Sequence, residues 1–203
     1  MFIVRTVILW IIISTIINAY LMTLPIPVLR KRNYPANYLI QLNNRIDYQN
    51  NTECAAFSTA YLLRHFGMGA EGEELYTHFP SKTRAGNVYP KGIRTVLRKK
   101  GFKTNYYKGN IDTLKYEVSK GIPIIVFIKV QKDSNILHFV PVVGYDREYI
   151  YLSESLRHLV NCDDHKSYNR KVPIEEFKKL WNVKSIHMLL YSNTYIAVNP
   201  TQS

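Results

Sequence analysis

The sequence contains few cysteines and lacks several recognisable motifs. Two cysteines among 203 residues are too few for a disulfide framework. If Cys54 and Cys162 paired in an oxidising compartment, Cys54 could not serve as a nucleophile. The chain has no internal repeat, no low-complexity block and no Gly-x-x-x-x-Gly-Lys loop, which excludes a P-loop nucleotide site within it.

Acidic residues are absent from Leu75 to Ile111, where nine Lys or Arg occur, and the whole chain has a net charge of +12. Such a region could face anionic lipid, cell-wall polymer, nucleic acid or an acidic substrate, or it could be a solvated surface. Because no helix-turn-helix, finger or stacking motif accompanies the charge, we expect no nucleic-acid partner.

Charge is also scarce at the N-terminus. Thr6 to Met22 is an uncharged, mainly apolar run of seventeen residues, long enough for a membrane helix. We predict residues 1–29 to be a membrane anchor, with a signal peptide cleaved near Ala19 as the alternative. Residues 30–45, rich in Asn, Tyr and Pro, are predicted to be a linker. The domain would then be membrane-anchored and extracytoplasmic, or secreted if the segment is cleaved.

The rest of the chain, residues 46–203, has enough apolar residues for a folded domain, because 46% of the sequence is hydrophobic. Predicted helices cover Glu53–Phe66, Glu71–Phe79, Lys91–Lys100, a segment from Asn110 or Asp112 to Gly121, and Pro173–Trp181. Predicted strands cover Phe102–Tyr107, Ile122–Val130, Leu137–Tyr145, Glu148–Leu152, Ile186–Tyr191 and Tyr195–Val198. A polar loop is predicted for Leu156–Lys171. The order of helices and strands predicts an α+β fold with an antiparallel sheet.

Cys54 stands at the start of the first predicted helix of this domain. A thiol at a helix N-terminus feels the positive end of the helix dipole, which stabilises the nucleophilic thiolate. A nucleophilic cysteine needs a histidine as base, and that histidine need not be near it in sequence.

Of six histidines, His138 is the best candidate for that base. It begins the predicted strand Leu137–Tyr145, where an imidazole could be half-exposed at the edge of a site. His65 follows Cys54 by eleven residues on the same helix, about three turns away, and is too far to contact it. An ordinary strand-edge histidine is the alternative interpretation.

Three stretches resemble the C39-like cysteine peptidases, which have a papain-like fold. The first, Tyr48 to Gly67, contains a glutamine, a polar segment, the cysteine and an apolar helix. The second joins Gly121–Phe127 to His138–Asp146, which ends in Gly-Tyr-Asp. The third, Ile174–Trp181, is similar to the late helix of the family. The resemblance implies that the helix bearing the cysteine packs on the sheet, after an N-terminal hydrophobic segment.

The resemblance also implies a thiol peptidase acting on a peptide or protein substrate, with no cofactor and no metal. It assigns Cys54 as nucleophile, His138 as general base and Gln49 as oxyanion-hole donor. The third catalytic position, usually Asp, is occupied by Glu154.

The sequence departs from the family pattern at two of these positions. Gln49 is one residue closer to the cysteine than usual, and Tyr48 occupies the expected place, so Asn50 is an alternative donor. Glu154 is one methylene longer than Asp. Asp146 is the competing acid, although a turn favours Asp for backbone reasons.

Two other functions remain open at this point. The domain could be a catalytically silent papain-like module that binds a peptide or an anionic polymer. It could also use the same Cys–His pair for amide or acyl transfer, because both reactions pass through a thioester. Cys162 and His165 lack further ligands at zinc spacing, so we predict no metal site.

Overall fold

The computed structural model describes residues 2–28, 32–163, 165–183 and 190–200. The helices in these ranges are α1 (Phe2–Met22), α2 (Cys54–His65), α3 (Gly72–Thr77), α4 (Pro90–Lys99), α5 (Ile111–Val118) and α6 (Ile174–Trp181). The strands are β1 (Ile26–Pro27), β2 (Tyr38–Leu39), β3 (Phe102–Lys108), β4 (Ile124–Lys129), β5 (Leu137–Tyr145), β6 (Tyr149–Leu152), β7 (Arg170–Pro173) and β8 (Thr194–Pro200).

The strands form one sheet in the order β1-β3-β8-β4-β5-β6-β7, with β2 paired to β5. The predicted α+β class is confirmed. The prediction of a purely antiparallel sheet is wrong, because β1 pairs with β3 in parallel. That pairing covers only two residues of the segment that follows α1, too short a stretch to produce a periodic sequence pattern.

The central strand β4 shows why the sheet is covered on both faces. Ile125 and Phe127 belong to the apolar cluster that includes α2 and α4, whereas Ile124, Val126 and Ile128 belong to the cluster that includes α5 and α6. Successive side chains of a strand point to opposite faces, so a strand buried on both sides is apolar throughout. The prediction of a buried central strand here is confirmed.

Three segments differ from the sequence-based assignment or lie outside the described residues. Tyr38–Leu39, predicted to be part of a linker, forms strand β2 and pairs with β5 over two residues only. Arg170–Pro173, predicted to be the end of a loop and the start of a helix, forms strand β7 beside β6. Its charged residues interrupt the apolar pattern that would indicate a strand. The partner strand lies about twenty residues earlier in the chain. The predicted strand Ile186–Tyr191 falls largely on residues 184–189, which lie outside the described residues.

The N-terminal helix α1 leaves most of its large apolar side chains exposed, from 40% at Ile11 to 76% at Ile3. It approaches the domain at α4, where the Lys91 ammonium lies 3.7 Å from the centre of the Tyr20 ring. Within the described residues, no helix combines the length and the hydropathy needed to cross a membrane. The prediction of a membrane anchor over residues 1–29 is therefore not supported.

Candidate active site

Helix α2 holds Cys54 at its first position. The turn before it is closed by the Glu53 carboxylate, which accepts hydrogen bonds from the backbone N–H groups of Asn50 (3.1 Å) and Asn51 (3.4 Å). From Ala55 to Leu63 every residue of the helix is buried. Because the helix is fixed in the core, the half-buried thiol of Cys54 stands on a rigid support.

A hydrogen bond fastens α2 to strand β5 close to the second candidate residue. The Ser58 hydroxyl donates to the Phe139 carbonyl over 2.9 Å, one residue beyond His138. Contrary to the expectation of a half-exposed imidazole, His138 is only 1% exposed. It is buried because α2 and the segment after β6 cover the beginning of β5.

His138 lies between Cys54 and Glu154. Its Nε2 atom is 2.7 Å from Glu154 Oε1, and the Cys54 side chain interacts with the same ring closely enough to help raise its pKa. The structure therefore brings the predicted cysteine, histidine and acid together in one place.

The electrostatic environment of His138 and Glu154 favours the charged form of both side chains. Burial opposes the charge on His138, but the Glu154 carboxylate and the Cys54 sulfur outweigh it and raise the pKa of the imidazole to about 10. Burial would likewise raise the pKa of Glu154, but His138, the Leu156 N–H and Arg170 lower it to about 2. Imidazolium and carboxylate thus stabilise each other in a site that excludes water.

A β-bulge lies between the turn of the β5–β6 hairpin and the candidate site. At the turn end, Tyr145 pairs with Ile150, whereas Val142 pairs with Leu152 beyond an irregularity between Val142 and Gly144. Because one extra residue in β5 reverses the faces of the residues beyond it, the bulge sets which residues of β5, His138 included, share a face with those of β6.

The Glu154 carboxylate has two further partners. Its Oε1 accepts from the Leu156 N–H (2.9 Å), and its Oε2 accepts from Arg170 Nη1 (2.9 Å). Asn169 holds the main chain of the same residue from both sides: Oδ1 accepts from the Glu154 N–H (2.7 Å), and Nδ2 donates to the Glu154 carbonyl (2.9 Å). A buried carboxylate requires such compensation.

Gln49 also lies in this region, next to the segment that follows Glu154. It is buried, its Oε1 accepts from the Ser155 hydroxyl (2.6 Å), and its backbone N–H donates to the Ser155 carbonyl (3.0 Å). One N–H of its amide is committed to the Asn51 carbonyl. The residue therefore joins the segment before Cys54 to the segment after Glu154.

The neighbours of Gln49 are placed differently. Tyr48, at the position where the family usually has glutamine, lies under the Arg157 guanidinium at 4.0 Å. Asn50 is exposed, and its backbone N–H serves the turn before α2. Of the three residues, Gln49 alone is buried.

Residues 43–193, about three-quarters of the chain, match the sequence profile of the Peptidase C39 family. The chain belongs to the peptidase C39 family. No curated protein matches it significantly.

Solved structures with the C39 or a papain-like fold resemble this C39 chain. The peptidase domain of Streptococcus ComA, a bifunctional ABC transporter in a quorum-sensing pathway, is 17% identical, with a TM-score of 0.60, covering 79% of this chain and 100% of that domain. A double-glycine-motif protease from an AMS/PCAT transporter, solved with its leader peptide, is 18% identical, with a TM-score of 0.57 and coverages of 84% and 100%.

The third neighbour is xylellain, a cysteine protease from Xylella fastidiosa, which is 11% identical with a TM-score of 0.55. The match covers 88% of this C39 chain and 92% of xylellain. At these identities the likeness establishes the fold alone.

Two residues that hold Glu154 in place were not predicted from the sequence. Arg170 and Asn169 lie in a segment predicted to be a polar loop, and neither stands out by spacing. The one available signal is indirect: a buried Glu154 would require a cation, but the sequence alone does not reveal that Glu154 is buried.

Two other candidate groups, Asp146 and Cys162, are not part of the arrangement of Cys54, His138 and Glu154. The Asp146 carboxylate closes the β5–β6 turn by accepting the N–H groups of Glu148 (2.7 Å) and Tyr149 (2.6 Å). Within the described residues, neither cysteine forms a disulfide, so the alternative of a Cys54–Cys162 disulfide does not apply here.

Proposed function

We propose that this chain is a cysteine peptidase that hydrolyses peptide bonds through Cys54 and His138. The observation that carries the proposal is the placement of the half-buried Cys54 beside His138, whose buried ring contacts the buried Glu154 carboxylate. Membership of the peptidase C39 family supports the reaction class. We assign the activity to residues 46–203; the predicted linker, residues 30–45, is not wholly separate from this domain, because Tyr38–Leu39 forms β2 and pairs with β5.

In the proposed reaction, His138 holds the proton of the Cys54 thiol, and the thiolate attacks the carbonyl carbon of the scissile peptide bond. The tetrahedral intermediate collapses as the imidazolium gives that proton to the leaving amine, which departs and leaves a thioester. His138 then takes a proton from water, and the resulting hydroxide attacks the thioester to release the carboxylic acid and regenerate the thiol.

The charge state of the imidazole supports this sequence. Because Glu154 and Cys54 raise the pKa of His138 to about 10, the ring is protonated at neutral pH. It can therefore act as the acid that expels the amine. Glu154 keeps the ring oriented through Nε2.

Gln49, with the backbone N–H of Cys54, is proposed as the donor pair for the developing oxyanion. Its place beside the site supports this role, although one of its amide N–H groups is committed to Asn51. Gln49→Ala should lower kcat by about 10²-fold with little change in KM, as expected for a donor used mainly in the transition state. Equal losses in Gln49→Ala and Ser155→Ala would instead indicate that Gln49 only supports the loop.

The substrate is proposed to be a peptide, and a leader peptide with a double-glycine motif is the first to test. This choice rests on the two structural neighbours from transporters, one of which was solved with such a leader peptide. The cleavage site would be read by mass spectrometry of the products.

The decisive experiment compares the two cysteines. The wild-type chain, Cys54→Ala and the matched control Cys162→Ala are each incubated with a mixed peptide library, and new termini are identified by mass spectrometry. We expect cleavage by the wild type and by Cys162→Ala, and none by Cys54→Ala. Hydrolysis that persists unchanged in Cys54→Ala would contradict the proposal.

The same assay separates the two alternatives. A silent binding domain would retain peptides without cleaving them, and Cys54 would react slowly with a thiol-directed probe at neutral pH. An acyl transferase would yield an amide of an added amine in place of the free carboxylic acid.

A further inference from the structure

A buried arginine lies behind the site, and the proposed reaction gives it no role. We infer that Arg170 is a positioning residue, which holds the Glu154 carboxylate facing His138 and thereby controls the reactivity of Cys54. This inference rests on the proposed pairing of Cys54 with His138.

The first support is the division of the carboxylate. Oε1 of Glu154 faces His138 (2.7 Å), and Oε2 faces Arg170 (2.9 Å). The two side chains of this second pair are 7% and 0% exposed, respectively. A carboxylate held at both oxygens cannot rotate about its last bond, so the acceptor of His138 keeps its direction.

The second support is that two consecutive residues hold both parts of the same acid. Arg170, the first residue of β7, pairs with Leu152 in the β6–β7 ladder, two residues before Glu154. Asn169, which precedes β7, binds both the N–H and the carbonyl of Glu154. The chain entering β7 therefore fixes the backbone of Glu154 through Asn169 and its carboxylate through Arg170.

The third support is the charge around Glu154. Three elements supply its charged or titratable neighbours: His138 from β5, Arg170 from β7 and, through His138, Cys54 from α2. Burial alone would favour a neutral acid, and the two cations keep it ionised. Of these neighbours, Arg170 contacts Glu154 Oε2, the carboxylate oxygen that does not face His138.

Replacing Arg170 by a neutral residue should therefore lower the reactivity of Cys54. Without the guanidinium, the pKa of Glu154 rises, and the acid takes up a proton at mildly acidic pH. A neutral Glu154 no longer stabilises the imidazolium, and burial then lowers the pKa of His138. The proton returns to the Cys54 sulfur, and the thiol loses its reactivity in a pH range where the wild type keeps it.

The test measures alkylation of Cys54 by iodoacetamide from pH 4 to pH 9 on the full chain carrying Cys162→Ala. In Arg170→Met, the acidic limb of the rate profile should move up by about 1 to 2 pH units. Arg170→Lys keeps the charge and should keep the limb close to its wild-type position. Arg147→Met, which removes an exposed cation at the turn end of the hairpin, is the matched control and should not shift it.

A second comparison, made in the Glu154→Gln variant, distinguishes a positioning role of Arg170 from a general contribution to the stability of the fold. In Glu154→Gln, adding Arg170→Met should cause no further shift, because the residue through which Arg170 acts is gone. This double variant also removes both buried charges together, which avoids an unpaired guanidinium. If circular dichroism shows that Arg170→Met alone does not fold, Arg170→Lys and the double variant are used to test the inference.

Three outcomes would overturn the inference. A folded Arg170→Met with the wild-type profile would show that Arg170 does not position Glu154. An additional shift on adding Arg170→Met to Glu154→Gln would show that it acts independently of Glu154. A wild-type Cys54 that alkylates no faster than glutathione would overturn the proposed function as well, so the two failures are distinguishable.

Discussion

The β5–β6 hairpin carries a carboxylate at each end, and the two are held in different ways. At the turn end, Asp146 is half-buried and accepts two backbone N–H groups and the Tyr151 hydroxyl (2.5 Å). At the open end, Glu154 is fully buried and faces the side chains of His138 and Arg170. The turn acid binds groups within five residues along the chain, whereas the side chains that the open-end acid binds lie sixteen residues away on either side.

This contrast shows what makes one acid a candidate for catalysis and the other a turn residue. Both have a lowered pKa, so ionisation does not distinguish them. The partners do: backbone donors close a turn, whereas a histidine that also reaches a cysteine can transfer a proton. If this distinction is right, the chemistry depends on the open end of the hairpin and not on its turn end.

The largest expected effect is on catalysis at the open end. Glu154→Gln should lower kcat/KM for peptide hydrolysis by about 10²-fold or more, because the imidazolium loses its counter-charge and its orientation. Asp146→Asn is the matched change at the turn end and should leave kcat/KM close to the wild-type value. Equal losses in the two variants would remove the distinction between the ends.

The second effect is the pH dependence of stability. The folded-state pKa of Glu154, about 2, lies below its ordinary value of 4.5, so this group stabilises the fold fully above pH 4.5. The contribution, about 3 kcal/mol, is lost as pH falls through about 2. The raised pKa of His138 acts in the opposite direction: its contribution is full below pH 6.5 and is lost as pH rises towards 10.

These two shifts describe one ion pair, whose contribution is therefore largest between pH 4.5 and 6.5. Urea unfolding at several pH values measures it. In Glu154→Gln, the free energy of unfolding should change less between pH 5 and pH 2.5 than in the wild type. A slope equal to that of the wild type would show that Glu154 is not the group that titrates.

A smaller effect is expected midway along the hairpin, at the bulge. A Cβ atom on Gly144 would lie 2.7 Å from the Tyr38 carbonyl oxygen of the paired strand β2. Gly144→Ala should therefore lower the free energy of unfolding by about 1 to 3 kcal/mol. Gly69→Ala, where the added Cβ would meet nothing within 4 Å, is the control, and a similar cost there would contradict the packing argument.

The smallest effect is expected for the turn acid itself. Asp146→Ala removes an acceptor from the N–H groups of Glu148 and Tyr149 and should cost about 1 to 2 kcal/mol in urea unfolding. Its Cys54 alkylation rate should match that of the wild type between pH 5 and pH 8. A slower thiol would mean that the turn end also takes part in the chemistry.

Much of the fold could be predicted because its signals are local. The helix predicted over Glu53–Phe66 is confirmed as Cys54–His65, and the strand predicted over Leu137–Tyr145 has those bounds. Small and apolar residues ending at Gly67 indicate the first, and a β-branched run indicates the second. β1, β2 and β7 were missed, because two-residue pairings and a charged edge strand have no such pattern.

The candidate site divides in the same way. Cys54 at a helix N-terminus and His138 at the start of a strand could be identified from the sequence, because element ends are marked locally. Burial of His138, the cation at Arg170 and the main-chain contacts of Asn169 could not be predicted. They depend on which segments cover the beginning of β5, and the spacing of residues does not determine that.

By itself, the sequence determined the type and order of the main elements of the domain and the two residues that meet at the head of α2. It could do so because helix ends and strand periodicity are properties of neighbouring residues. Only the tertiary structure decided that Glu154, and not Asp146, faces His138. The reason is the position of each acid in the fold: Asp146 closes the turn of the hairpin, whereas Glu154 follows the end of β6 and lies beside the beginning of β5.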